Sequence, residues 1–111
     1  MKEDLQERTF QFATRVVKLC RVLDDTPGVA RTLAKQLLRS GTSIGANVEE
    51  GQGSQSKADF VSKYSIACKE ARDTHYWLRL IVASKLMTES RLSERIAILT
   101  TIIKKTKEGM K

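Results

Sequence analysis

Residues 39–53 have the sequence R-S-G-T-S-I-G-A-N-V-E-E-G-Q-G, in which small residues are interspersed with aliphatic ones. At helical spacing, Ile44 and Val48 lie on one face, and Gly41 and Gly45 add almost no side-chain volume beside them. A glycine inside a helix costs about 0.5–1 kcal/mol relative to alanine. Close packing must offset that cost, so this run predicts a helix that a neighbouring helix approaches closely.

Apolar residues recur at helical spacing on both sides of this run and predict four helices. The predicted helices span residues 4–23, 27–50 and 57–84, and a fourth begins after a cap at Ser90 or Thr88. Thr26 is the expected N-cap of the second helix, with Pro27 at its first position, and Ser56 is the expected N-cap of the third. The expected core face of the fourth helix contains Leu92, Ile96, Leu99 and Ile103.

Short turns join the first helix to the second and the third to the fourth, which favours antiparallel neighbours. The sequence therefore predicts a single all-α domain, residues 1–111, folded as an antiparallel up-down-up-down four-helix bundle. The expected core stripe of the third helix contains Phe60, Tyr64, Ala67, Cys68, Ala71, Leu78 and Val82.

The first and third helices carry more apolar surface than one bundle core needs. Phe10 and Val17 lie beside the core face of the first helix. Ile66, Trp77 and Leu80 lie about 120° or more away from the core stripe of the third. Apolar strips outside the core favour contact with another copy, so these five residues are predicted to form a homo-oligomer interface.

Basic residues dominate the charge. The chain has 20 Lys and Arg against 13 Asp and Glu, which gives a net charge of +7 and favours polyanion binding. The candidate nucleic-acid-binding residues are Arg31, Lys35, Arg39, Lys69, Arg72 and Arg79. The first three form a stripe along the second helix, and the other three surround Tyr76, whose ring could stack on an unpaired base. The alternative is a solvated face that serves only solubility.

The sequence offers no set of residues for catalysis or metal binding, and no cofactor is expected. It has one histidine, His75, and no Glu-x-x-His pair for a di-iron site, so we assign His75 a structural or interface role. Cys20 and Cys68 lack CxxC spacing and are expected to be reduced and buried. No apolar stretch approaches the about 18 residues of a membrane span, and no signal-peptide core appears, so a cytoplasmic protein is predicted.

Four residues of the central run are assigned structural roles: Ser43, Asn47, Glu50 and Gly51. The amide of Asn47 is expected to bond to loop or helix-end backbone, and Gly51 to end the second helix. Glu50 is expected to form an ion pair or a helix-end hydrogen bond. Glu70 is expected to pair with a cation such as Arg72, or Lys69 of a neighbouring copy.

Two blocks of sequence resemble a known family. They are T-S-I-G-A-N-V-E-E-G at residues 42–51 and E-A-R-D-T-H-Y-W-L at residues 70–78, with Phe60 and Ala67 between them. Together they closely resemble the bacterial four-helix-bundle family named for intervening sequences of 23S rRNA, also called S23 proteins, a name that does not imply a ribosomal protein. That family is similar to the accessory variability proteins of diversity-generating retroelements. The resemblance implies a four-helix bundle that assembles into a ring, a homopentamer.

The leading hypothesis is a non-enzymatic, homo-oligomeric four-helix bundle whose basic surface binds structured RNA or DNA. The resemblance to retroelement accessory proteins implies that the nucleic acid is presented to a partner protein such as a reverse transcriptase. The alternative is a protein-interaction scaffold or accessory subunit without nucleic-acid binding, which the surplus apolar surface supports. A third hypothesis, an RNA-processing enzyme, finds no catalytic set in the sequence.

Overall fold

The computed structural model describes residues 4–86, and this range is all-helical, with no strand. It contains α1 (Leu5–Leu23), α2 (Val29–Gln52) and α3 (Lys57–Ala83). The predicted fourth helix lies outside the described residues. No helix within them is long and apolar enough to cross a membrane.

The bounds of α1 and α3 confirm the prediction to within one residue, because each helix begins at a side-chain cap. The Asp4 carboxylate accepts a hydrogen bond from the backbone N–H of Gln6 at 3.1 Å, and α1 follows directly. The predicted Ser56 cap is also present, since its hydroxyl oxygen accepts from the N–H of Asp59 at 3.0 Å. A polar side chain at this position satisfies a backbone donor that has no partner inside the helix.

The predicted ends of α2 are wrong at both sides. The helix does not begin at Pro27; Gly28 is the N-cap, with a φ of 99° that a residue with a side chain rarely adopts, and the helix starts at Val29. The helix also does not end at Gly51, because it continues to Gln52 and is capped by Gly53. Gly51 is a buried helical position instead, where a Cβ atom would lie 3.4 Å from the Cβ of Lys63 in α3.

The central helix α2 packs against both α1 and α3, and its glycines allow the close approach that the sequence predicts. A Cβ atom on Gly41 would lie only 2.8 Å from Cγ1 of Val16, and one on Gly45 would lie 3.3 Å from the carbonyl oxygen of Thr9. The order of these contacts along the two helices shows that α1 and α2 are antiparallel. Tight packing here offsets the low helix propensity of glycine.

Two clusters of buried residues form the core of the described range. The larger cluster joins all three helices and contains Val16, Leu19, Cys20, Leu23, Ala34, Leu37, Leu78 and Ile81. The smaller contains Ile44, Val48 and Ala67. Phe12 packs against both clusters and links them.

The predicted core stripe of α3 is wrong in part. Ala67 and Leu78 are buried as expected, but Phe60 and Tyr64 are 40% and 43% exposed. Two polar residues, Glu70 and Thr74, and also Ile81, are buried in their place. The reason is that α3 presents polar groups to polar partners on α2, an arrangement that apolar periodicity does not detect.

Candidate nucleic-acid interface

The basic stripe of α2 crosses the outer face of the helix from the α1 side to the α3 side. Residues four apart are separated by about 400° of helical rotation, so each step along the stripe drifts by about 40°. Arg31 consequently reaches the end of α1, where its Nε and Nη2 atoms donate to the carbonyl oxygen of Asp24 at 3.0 and 2.9 Å. Its Nε also lies 3.2 Å from Oδ1 of Asp24.

At the other end of the stripe, Arg39 pairs with Glu70 of α3. Its Nη1 atom lies 3.3 Å from Oε2 of Glu70, whose side chain is only 10% exposed. Within the chain, Glu70 therefore pairs with Arg39, 31 residues away, which the sequence analysis did not predict. The pair predicted with Arg72, or Lys69 of a neighbouring copy, stays a prediction. Between the two arginines, Lys35 is exposed and has no ion pair within residues 4–86.

The cations of α3 form a second surface, separate from the α2 stripe. Lys63 and Glu70 contact α2, and they define the side of α3 that faces it. Arg72 and Arg79 lie about 160–200° around the helix from those residues, so they project away from α2. Both arginines are exposed, and no ion pair involves either of them in the described part of the chain.

Lys69 and Tyr76 border these arginines in different ways. The Nζ atom of Lys69 lies 3.1 Å from Oδ2 of Asp73, one turn further along the helix. Tyr76 is 54% exposed, and its ring contacts that of Trp77 edge to face, with centroids 5.3 Å apart. Of the three α3 cations predicted to bind nucleic acid, the structure therefore leaves Arg72 and Arg79, on either side of an exposed ring, without an acidic partner among residues 4–86.

The five residues predicted for an oligomer interface differ in their exposure. Phe10, Val17 and Ile66 are 60%, 38% and 39% exposed. Trp77 and Leu80 are half-buried, and Trp77 packs against the larger core cluster. The prediction that Trp77 lies off the core is thus wrong, because it follows Glu70 by seven residues and so shares the side of α3 that faces α2.

Phe10 and Val17 lie along the seam between α1 and α2. They precede Asp24 at intervals of seven residues, and Asp24 contacts Arg31 of α2 across that seam. Leu38 follows Arg31 by seven residues, is 39% exposed, and extends the same seam from the α2 side. The sequence analysis missed Leu38 because it lies between the core face and the basic stripe.

The structural residues of the central run form contacts inside the protein. The Nδ2 atom of Asn47 donates to the carbonyl oxygen of Ser43 at 2.9 Å and to its hydroxyl at 3.1 Å. The amide therefore bonds one turn back within α2, not to a loop or helix end as predicted. Glu50 lies 3.5 Å from Nζ of Lys63, an ion pair at the exposed edge of the α2–α3 contact.

Ser40 and Thr74 form a buried hydrogen bond that the sequence analysis missed. Thr74 Oγ1 lies 2.9 Å from the Ser40 hydroxyl and 2.7 Å from the carbonyl oxygen of Glu70, and both side chains are fully buried. Buried hydroxyls need such partners. Together with the Arg39–Glu70 pair, this bond fixes the register of α3 on α2.

The cysteines are both free, as predicted, and Cys20 is buried, but Cys68 is only half-buried. The Sγ atom of Cys20 donates to the carbonyl oxygen of Ala34 at 3.4 Å. Burial, with a smaller contribution from Asp24, raises the pKa of the Cys20 thiol from 9.0 to about 12. Cys20 is therefore a neutral thiol at physiological pH and a poor nucleophile.

A shallow, open cleft lies where the start of α1 meets the α2–α3 connection. Its lining is largely apolar and includes Leu5, Val48, Phe60 and Tyr64. No carboxylate, histidine or cysteine is among the residues that line it. No group of three or more potential metal ligands occurs among residues 4–86.

Comparison with known proteins identifies a matching family and a similar solved structure. The family described as 23S rRNA-intervening sequence protein matches residues 2–108. A crystal structure of a protein with unknown function from the S23 ribosomal protein family of Bacteroides thetaiotaomicron is similar to this chain, with 37% sequence identity and a TM-score of 0.71. That alignment covers 97% of this chain and 99% of the other. Among curated proteins, none matches the chain significantly.

Proposed function

The chain belongs to the family of 23S rRNA-intervening sequence proteins, and we propose that it is a non-enzymatic, homo-oligomeric helical protein that binds structured RNA or DNA through its basic surfaces. The observation that carries this proposal concerns the six cations predicted to bind nucleic acid: three of them, Lys35, Arg72 and Arg79, are exposed and have no acidic partner among residues 4–86. They belong to a chain of net charge +7. Exposed cations without an acidic partner in the described range are available to phosphates.

Binding by these residues is electrostatic and does not read base sequence. Each phosphate that a cation neutralises releases counterions, and the logarithm of the affinity falls with the logarithm of the salt concentration by about 0.9 per contact on duplex DNA. Three contacts per subunit therefore give a slope of about −2.7. The pattern of cations lacks a recognition helix or an RNP motif, so specificity comes from the shape of the nucleic acid.

Assembly multiplies this effect. Phe10 and Val17 of α1 and Ile66 of α3 are exposed apolar residues, which supports contact between copies. The family resemblance suggests a homopentamer, and five copies at +7 each would carry +35. The four-helix bundle is part of the same proposal and rests on the apolar spacing of the sequence beyond residue 90.

Charge reversal at the available cations tests the proposal. The test variant replaces Lys35, Arg72 and Arg79 with glutamate. The matched control replaces Lys18, Arg21 and Lys57 with glutamate, which are also exposed and have no ion pair in the described range. Arg31 and Arg39 are left intact because their replacement would also break contacts with Asp24 and Glu70.

The measurement is the affinity of nuclease-treated protein for a structured RNA and a duplex DNA across a salt series from about 50 to 300 mM. The test variant is expected to keep its oligomeric mass, to bind more weakly and to lose most of its salt dependence. The control variant is expected to retain more of the parent's affinity and more of its salt dependence than the test variant does. Equal losses in the two variants would assign binding to net charge alone, and unchanged affinity in the test variant would refute the proposal.

The second candidate function is a protein-interaction scaffold in the cytoplasm, with a reverse transcriptase as one suitable partner. The α1–α2 seam favours it, because Phe10, Val17 and Leu38 are exposed apolar side chains on one edge. Purification from the native host separates the candidates. A protein partner that survives nuclease and high salt supports the scaffold, and a partner that nuclease removes supports nucleic-acid binding.

A further inference from the structure

The outward side of α3 presents two arginines and a tyrosine in one line. Arg72 and Tyr76 each lie two residues from the fully buried Thr74, and Arg79 lies two residues from the buried Ile81. Two residues correspond to about 200° of rotation, so all three side chains project directly away from the core. Arg72 and Arg79 are separated by about 10 Å along the helix axis, with Tyr76 between them.

These arginines differ from those of α2 in their availability. Arg31 and Arg39 are engaged by Asp24 and by Glu70, and a phosphate would have to compete with those carboxylates. Arg72 and Arg79 have no acidic partner within residues 4–86. A phosphate can therefore be bound at α3 without breaking an ion pair among residues 4–86.

The ring of Tyr76 is both exposed and held in place. It is 54% exposed, and it lies edge to face against Trp77 at a centroid distance of 5.3 Å and an interplanar angle of 76°. Trp77 in turn packs against the larger core cluster. A ring whose orientation is restrained by a core residue loses less side-chain entropy when a ligand stacks on it.

We propose that this face of α3 binds single-stranded nucleic acid, with an unpaired base stacked on Tyr76 and neighbouring phosphates contacted by Arg72 and Arg79. This inference rests on the proposed nucleic-acid-binding function and specifies its substrate class. Aromatic stacking tolerates any base, so it adds affinity without adding sequence specificity. In a duplex the bases are paired and stacked on one another, and only the two arginines would contribute there.

The test compares an unstructured thymidine oligonucleotide of about 20 nucleotides with a duplex of the same length, both titrated against the assembled protein. Tyr76→Ala is expected to weaken binding of the single strand by about 5- to 150-fold, the range found for base–aromatic stacking, and to leave duplex binding within about twofold. Tyr76→Phe keeps the ring and is expected to bind both substrates as the parent does. Arg72→Gln should reduce the salt slope on the single strand by about 0.7 per subunit.

Trp77 supplies a readout at the same place, because it is the single tryptophan of the chain and contacts Tyr76. Its fluorescence should change when the oligonucleotide binds the parent or Tyr76→Phe, and should change much less in Tyr76→Ala at saturating oligonucleotide. Parent-like single-strand affinity in Tyr76→Ala, or an equal loss on both substrates, would overturn this inference while leaving the proposed function standing. Absence of binding to either substrate by the parent would overturn both.

Discussion

Replacing Gly41 with alanine should have two opposing effects on stability: it raises helix propensity, and it crowds the contact between α2 and α1. Alanine is favoured over glycine inside a helix by about 1 kcal/mol. The added methyl group, however, would lie 2.8 Å from Cγ1 and 3.0 Å from Cγ2 of Val16, whose side chain is fully buried and, being β-branched, has little rotamer freedom. Overpacking of this kind costs about 1–3 kcal/mol, so we expect a net destabilisation of up to about 2 kcal/mol.

Thermal or urea unfolding at a fixed protein concentration measures this effect, since the stability of an oligomer depends on concentration. A loss of 1 kcal/mol should lower the Tm by about 4–8 °C in a domain of this size. Gly53→Ala is the matched control. Its new Cβ would lie 3.8 Å from the carbonyl oxygen of Glu50, an ordinary contact, and its φ of −92° suits alanine, so little change is expected.

A double-mutant cycle with Val16→Ala isolates the contact. Alone, this truncation leaves a cavity and should cost about 2 kcal/mol. With Gly41→Ala, the new methyl group occupies part of that cavity, so the double variant should be more stable than additivity predicts by about 0.5–3 kcal/mol. A Gly41→Ala protein more stable than the parent, or additive effects of the two substitutions, would refute the close α1–α2 packing.

Two further predictions concern buried polar groups. Arg39→Ala should lower the free energy of unfolding by about 1–3 kcal/mol in urea titrations, because it leaves the Glu70 carboxylate, only 10% exposed, without its partner. The control is Arg31→Ala, which should cost less than about 1 kcal/mol because both Arg31 and Asp24 are exposed. A larger loss in Arg31→Ala than in Arg39→Ala would contradict the structure. The pKa of Cys20 is raised from 9.0 to about 12 in the folded state, so the unfolded thiol loses its proton first as the pH rises. Stability is therefore fully retained below pH 9 and lost progressively towards pH 12, and Cys20→Ala should remove this part of the alkaline loss, measured as Tm against pH relative to the parent.

Local signals were sufficient to predict α1 and α3. A cap such as Asp4 or Ser56 acts within three residues of the chain, and apolar periodicity marks the length of each helix. The ends of α2 depend also on the turn that follows α1 and on the packing of α3. Gly28 begins the helix because the turn after α1 requires a positive φ, and Gly51 stays inside it because α3 packs against its missing side chain.

Local signals likewise predicted only part of the candidate site. The sequence identified which cations lie at helical spacing, but it contains no local sign of which ones are neutralised. Arg39 and Glu70 are 31 residues apart, and Arg31 reaches an aspartate seven residues earlier across a turn. Because of these contacts, Arg31 and Arg39 of the α2 stripe have acidic partners, whereas Arg72 and Arg79 of α3 have none among residues 4–86.

From the sequence alone, the all-helical class, the close approach of helices at the glycine-rich run and the basic character could be determined, because each depends on residue type and on spacing within one helix. The tertiary structure decided which face of α3 is buried and which cations have an acidic partner in the described range. Those properties depend on the rotation of one helix relative to another, and that rotation is set by pairs such as Ser40 with Thr74, 34 residues apart. A hydrogen bond between buried hydroxyls forms only where packing brings them together, and nothing in the neighbouring sequence of either residue predicts it.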